Sequence, residues 1–266
     1  MPPASRGGAG EQGTSFGSTH SGCSTLGAGA PLLETQTGGG AGRGFVVVWD
    51  CESDCSFDSL PGHSHDEKLK FMNFTNICAV CMPVELILAG APADEIVVQS
   101  ASHTWWRDKS EDGSNPVISL LDLFDSASLI VGYNCLAFDF PLVRRFYRPT
   151  DTFTDPSDCY LFHRSKTFDI MTRVRDATGK YYKLDCLLKL NGVPCKTGHG
   201  KNAIKLWNAG KRQELEDYCH NDVVVTAKLA LLSNIKVAEE SCVYTPCIGL
   251  VEQLLAVVTK ASLPKY

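Results

Sequence analysis

Neither a Walker loop nor a G-x-G-x-x-G turn occurs in this sequence, which removes the common nucleotide-binding readings, and no period of about 34 or 40 residues marks a repeat architecture. Long apolar runs are missing, so no stretch reads as a membrane span, and the N-terminal residues lack the apolar core of a secretory signal. Excess positive charge is absent too. The 25 Lys and Arg against 30 Asp and Glu leave a formal net charge of −5. Without a global attraction for polyanions, any nucleic acid must be held locally, by clustered Lys and Arg or by metal ions. Bulky side chains are scarce over residues 1–43, and 13 of the 23 glycines fall at or before Gly44. Such a segment buries too little surface to offset its ordering entropy and reads as a disordered tail. Arg6 and Arg43, with few acids around them, leave a mitochondrial presequence open; the reading is otherwise intracellular, in nucleus or cytoplasm.

What is present is a hydrophobic content of 44%, ample for a packed core in a chain of 266 residues. Most of the twelve cysteines lie inside apolar runs, where small buried thiols are ordinary, and they read as reduced. Cys78-x-x-Cys81 sits in an extended segment whose two thiols point to opposite faces, so it reads as strand rather than half a zinc ribbon. Cys51, Cys55, His63 and His65 are a second conceivable zinc cluster, but Pro61-Gly62 and nearby acids make that stretch a loop.

The folded part begins at Phe45, where consecutive β-forming apolar residues predict a buried central strand. A second strand is expected over Thr75 to Met82 and a third over Glu95 to Ser100, an antiparallel meander, with Trp105 and Trp106 in a following loop. Val117 to Ser126 reads as a helix with a stripe of Ile118, Leu121 and Phe124/Asp125, and Leu129 to Gly132 as a short buried strand leading to a helix over about 139–147. Residues 148–167 look loop-like, and Thr167 to Ile170 starts a strand or helix. Helices follow from Lys183 to Leu190, around Ile204 and Trp207, and over about Lys211 to Ser233. Val243-Tyr244 suggests an edge strand, and Leu250, Val251, Leu254, Leu255, Val257 and Val258 form a stripe expected to pack back on the domain or, failing that, to bind a protein partner. Strands first, then alternating strands and helices, imply an α/β layer sandwich with a mixed sheet, with boundaries at 1–43, 44–235 and 236–266.

Three remote segments carry acids in telling positions. Asp50 and Glu52 share one face at the end of the first strand, Asp139 opens a helix, and Tyr218 and Asp222 lie one turn apart on the long helix. Phosphodiester cleavage by two metal ions needs carboxylates that bridge and cap ions about 3.5 to 4 Å apart. Few are required, since water and substrate phosphate complete the shell of Mg²⁺ or Mn²⁺. Asp50 is placed to bridge, with Glu52 beside it and Asp222 reaching across; Tyr218 is placed to orient the attacking water. Arg144, Arg145 and Arg148, and Lys196, Lys201, Lys205, Lys211 and Arg212, could track a strand, while Trp105 and Trp106 could stack on bases.

Asp50-x-Glu52, Asn134-x3-Phe138-Asp139 and Tyr218-x3-Asp222, in this order, resemble the three motifs of the DEDD exonuclease superfamily. The tyrosine variant is indicated, because the position five before the last Asp is Asp217 rather than His. Thr167-Phe168-Asp169-Ile170, Lys183-Leu184-Asp185, Lys196-x2-His199-Gly200 and Ala203-x3-Trp207-x2-Gly210 extend the similarity to the predicted exonucleases related to family B polymerase proofreading domains, including those attached to bacterial helicases. Tyr133 stands where relatives often have His. The resemblance implies a ribonuclease-H-like fold, removal of nucleotides from the 3′ ends of single-stranded or frayed DNA or RNA, and two divalent ions on Asp50, Glu52, Asp139 and Asp222. It implies nucleic-acid contacts from Cys51, Asn134, Phe138, Arg144, Lys196 and Lys201. Two alternatives stay open at this point: a module of the same fold that binds nucleic acid or acts as a scaffold without cleaving, and an endonuclease of related fold.

Overall fold

In a computed structural model, the described residues are 44–108, 116–149, 152–194, 200–238, 241–244 and 249–261. The tail assigned to residues 1–43 and the candidate Lys196 lie outside them, as does the side chain of Lys201. The elements run β1 (Phe45–Ser53), α1 (His65–Leu69), β2 (Phe74–Pro83), α2 (Val84–Leu88), α3 (Ala93–Val98), β3 (Ala101–Trp106), α4 (Pro116–Ser126) and β4 (Leu129–Gly132). They continue as α5 (Asp139–Val143), α6 (Pro156–Ser165), β5 (Thr167–Asp169), α7 (Ile170–Thr178), α8 (Leu184–Leu190), α9 (Gly200–Asn208), α10 (Arg212–Ala230), β6 (Asn234–Ala238), β7 (Ser241–Tyr244) and α11 (Leu250–Ala261).

A five-stranded sheet has the order β3-β2-β1-β4-β5, antiparallel from β3 to β1 and parallel from β1 to β5. With helices on both faces, this mixed α/β sandwich has the ribonuclease-H-like architecture. β1 lies in the middle and is buried on both sides, which is why its sequence is an unbroken apolar run rather than an alternation. Val46 and Val48 face one core layer with Cys219, Val223 and Leu229 of α10; Val47 and Trp49 face the other, where the Trp49 ring meets Phe124 and Phe140 edge-on at 5.1 Å each. Cys78 and Cys81 fall in opposite layers, as the strand spacing requires. The described cysteines are free thiols.

The structure shifts several elements. Residues 95–100 are not the third strand: α3 occupies 93–98, launched by Pro92 with Asp94 and Glu95 in its first turn, and the strand starts at Ala101. The β-branched Ile96-Val97-Val98 run reads as strand, yet only Ile96 is fully buried, Val97 packs half-buried against the core, and Val98 is 83% exposed. Trp105 and Trp106 therefore belong to β3, paired with Ile77 and Asn76. The stretch 148–167 is not all loop either, since α6 starts at an Asp155-Pro156 cap in which the Asp155 carboxylate accepts from the Ser157 N–H at 2.7 Å. Its buried stripe is Cys159, Tyr160 and His163, too polar to stand out as a hydrophobic period. On α4 the buried residues are Val117, Leu120, Leu121 and Phe124, with Ile118 turned outward. The helix from Asp139 is shorter than expected, passing into a 3₁₀ turn over Arg144–Phe146. The long helix stops at Ala230, and β6 pairs with β7 in a separate two-stranded sheet, with Ile235 opposite Val243. Leu250 and Leu254 of α11 are buried in the same layer as α10. Among the described residues, no helix is long and apolar enough to cross a membrane.

Candidate active site

At the C-terminal end of β1 the chain brings its acids together around a cavity of about 600 Å³. Asp50, Cys51 and Glu52 line it from β1, Asn134, Phe138 and Asp139 from the turn after β4, and Tyr218 and Asp222 from α10. Asp50 and Glu52 share a face because β1 is still extended there, although its pairing with β2 shifts between Cys51 and Ser53. Tyr218 and Asp222 share a face by helical repeat. The remaining acids of the cavity are Asp58 and Asp185; Lys183 is the one Lys or Arg among the described residues that line it.

A second carboxylate sets the turn that delivers Asp139. Asp169, at the end of β5, accepts from the backbone N–H of Asn134 (3.0 Å) and of Leu136 (2.9 Å), and also caps α7 through the Thr172 N–H (3.1 Å). Asn134 has φ of 61°, a left-handed conformation that asparagine tolerates better than most residues. Gly132 is required before it, since a Cβ there would lie 2.6 Å from the Cys135 sulfur. Asp169 has no place in the predicted site. Its signals were Asp before a helical stripe, the sign of a cap, and the Thr167-Phe168-Asp169-Ile170 motif.

Asp139 is 2% exposed, and both the N–H (3.1 Å) and the thiol (3.0 Å) of Cys51 donate to its Oδ1. Burial pushes its pKa up to about 7; the Cys51 hydrogen bonds pull it down, and the charge of Asp169 adds to the rise. The Cys51 thiol is itself held well above its ordinary value by burial and then by Asp139, Asp50 and Glu52. Tyr218 packs with Ala203 and Leu215, against Trp106, Leu206 and Trp207. Burial, followed by the charges of Asp222, Glu52 and Asp50, raises its pKa, and a hydrogen bond with Asp222 contributes in the same direction, so the phenol stays neutral. Tyr133 directs its hydroxyl to the Tyr182 carbonyl at 2.6 Å and so ties the loop before α8 to the cavity wall.

Of the other nominated residues, none whose side chain is described lines the cavity. Arg144 is exposed, with its guanidinium 5.0 Å from the Tyr160 ring centre. Lys211 pairs with Glu214, and Arg212 lies over Trp207 while pairing with Asp108 at 2.6 Å. Two groups of potential metal-ligating atoms occur among the described residues, Asp50/Glu52/Cys219 and Asp125/Cys159/His163, and neither contains the Cys55, His63 or His65 of the zinc alternative. Cys219 does not line the cavity; its thiol donates to the Asp50 carbonyl at 3.7 Å. His163 is engaged on both nitrogens, by Asp125 at 2.7 Å and the Tyr147 hydroxyl at 3.1 Å.

A mixed sheet whose central strand ends in paired carboxylates, faced by a helix bearing a third and a phenol, defines a ribonuclease-H-like domain with an acidic site. Over residues 97–235, just over half of the chain, the sequence matches the family described as predicted 3′-5′ exonucleases related to the exonuclease domain of PolB. The chain belongs to that family. The match takes in Asp139, Tyr218 and Asp222, whereas Asp50 and Glu52 precede it. No curated protein matches the chain significantly.

Proposed function

We propose that the chain is a metal-dependent 3′-5′ exonuclease that hydrolyses phosphodiester bonds at the ends of single-stranded or frayed nucleic acid. Asp50, Glu52, Asp139 and Asp222 are its ligands for two divalent ions, Mg²⁺ or Mn²⁺. One observation carries the reading: these four carboxylates, from β1, α5 and α10, meet in one small cavity with two further acids and a single lysine among its described lining. Like charges so placed oppose one another until cations enter, and burial, the main cause of the raised pKa of Asp139, adds to the cost of holding its charge without a cation. Hard oxygen donors suit Mg²⁺ or Mn²⁺, whereas the thiol of Cys219 would suit a softer metal and does not line the cavity.

Two ions held by Asp50, Glu52, Asp139 and Asp222 would supply electrostatic stabilisation of the attacking and leaving oxygens in phosphodiester hydrolysis. The chain's own groups do the positioning. Tyr218, held neutral by burial and by its acidic neighbours, offers a hydroxyl that orients water without giving up its proton. Phe57 and Phe138, with ring centres 5.8 Å apart, give the cavity an apolar wall suited to a terminal base. The Cys51 N–H is taken by Asp139, so this residue acts by holding a ligand in place.

The test is digestion of 5′-labelled DNA and RNA oligonucleotides and of a circular single strand with Mg²⁺, Mn²⁺ or EDTA, beside the Asp50→Asn variant. Progressive shortening from the 3′ end, dependent on metal and abolished in D50N while the circle survives, is the expected result. Cleavage of the circle makes the protein an endonuclease. Binding without cleavage in either metal makes it a silent module.

A further inference from the structure

Beside the carboxylate cavity lies a second, larger cleft of about 1010 Å³ with the opposite charge. Lys70, Arg144, Arg145 and Arg164 line it, with His65, against a single acid among the described lining residues, Asp66. The two clefts share a wall. Leu136 and Ala137 face the basic side, while Asn134, Phe138 and Asp139, from the same turn, face the acidic side. A row of rings marks the divide: His65 stacks on Phe57 with centres 4.7 Å apart, and Phe57 contacts Phe138.

The cations of this cleft differ from the others near the site. Arg107 pairs with Asp54 at 2.8 Å and Arg212 with Asp108 at 2.6 Å, which neutralises the Trp106 and Trp207 side of α10. Among the described residues, Arg144, Arg145 and Arg164 pair with no carboxylate. Arg164 donates to the Leu136 carbonyl (2.6 Å) and the Tyr160 hydroxyl (3.1 Å), and Arg145 to the Asn73 side-chain carbonyl. Arg144 and Arg164 both lie over the Tyr160 ring, their guanidiniums 5.0 and 5.3 Å from its centre, and the shared ring helps to hold two like charges near each other. Lys70, Arg144 and Arg145 are exposed.

We infer that the basic cleft takes the phosphodiester backbone of the same single strand whose 3′ end reaches the carboxylates, several nucleotides upstream of the reacting bond. The inference rests on the exonuclease reading and adds where the strand runs and that it must be longer than the acidic cavity. The net charge of −5 gives the chain no global attraction for a polyanion, and two divalent ions with Lys183 would not outweigh the six acids that line the cavity. The attraction has to come from an adjoining surface whose cations are not already neutralised.

The test uses the full chain with Ca²⁺ and fluorescent dT and rU oligomers of 2, 8 and 12 nucleotides, followed by anisotropy across a salt series. The variants are Lys70→Gln/Arg145→Gln and, as a control for net charge alone, Lys189→Gln/Lys236→Gln, both checked by thermal melting. Wild type should bind the 8-mer at least tenfold more tightly than the 2-mer. The cleft variant should lose most of that gain and show a slope of log affinity against log salt that is shallower by about 1.4, two contacts at about 0.7 each for a single strand. The control should stay within about twofold of wild type. Similar losses with dT and rU support backbone capture; a loss confined to one sugar overturns it in favour of a base or 2′-hydroxyl site. Equal affinity and slope in the two variants overturn the inference even if the protein cleaves, and the exonuclease reading then stands. Cleft-dependent binding in a protein that never cleaves removes that reading and the placement upstream of a reacting bond, and so overturns the inference as stated, leaving a cleft that binds single strands. If no oligomer binds, both fall.

Discussion

Replacing Tyr218 by Phe separates a water-orienting phenol from a packing residue, because the structure puts the ring and the hydroxyl to different uses. The ring lies against Ala203, Leu215, Trp106, Leu206 and Trp207, and Phe keeps all of those contacts. The hydroxyl sits among the charges of Asp222, Glu52 and Asp50. Losing its hydrogen bond to Asp222 costs about 1 kcal/mol of metal-free stability, or about 2 to 4 °C for a chain of this size. A hydrogen bond made to water in the transition state is worth more, roughly 1.5 to 4 kcal/mol, so turnover should fall roughly ten- to a thousandfold. Mn²⁺ affinity should change little, since no carboxylate is removed. Single-turnover hydrolysis of an end-labelled oligonucleotide, beside calorimetric titration with Mn²⁺, measures both. Turnover equal to wild type would refute the reasoning and leave Tyr218 as packing. Abolished metal binding would refute it differently, by showing that the phenol acts through Asp222.

Asp169→Ala should destabilise the fold by several kcal/mol, because the N–H groups of Asn134, Leu136 and Thr172 all lose their acceptor; a melting temperature within about 2 °C of wild type would show that the turn does not depend on it. Asp139→Asn in EDTA should stabilise the protein, increasingly with pH. A carboxyl raised from its unfolded value near 4 to about 7 contributes stability below the lower value and loses it as pH rises through the upper one, so the gain in melting temperature should build across pH 4 to 7 and level off above; a gain that is flat with pH would mean that burial and Asp169 do not perturb this group. Deletion of residues 1–43, on their composition, should leave the melting temperature within about 2 °C, and a fall of many degrees would mean that the tail is part of the fold.

The sequence by itself determined the central strand, the helices from residues 116, 184 and 212, and the local spacings that set Asp50 beside Glu52 and Tyr218 beside Asp222. Each of these rests on local periodicity or fixed spacing: an apolar run buried on both faces, acids two apart on a strand, a phenol and an acid one helical turn apart. Where burial was only partial, the local pattern misled. Ile96-Val97-Val98 has strand chemistry but fully buries one side chain, and α6 hides its stripe behind Tyr160 and His163. Only the tertiary structure decided which distant polar groups share a surface. That Asp169 holds the turn carrying Asp139, that Asp58 and Asp185 join the acidic cavity, and that Lys70 meets Arg144 and Arg164 in one basic cleft all follow from strands β1, β4 and β5 lying side by side. Electrostatic fields add over such long-range neighbours, whereas sequence patterns record only the nearest ones along the chain.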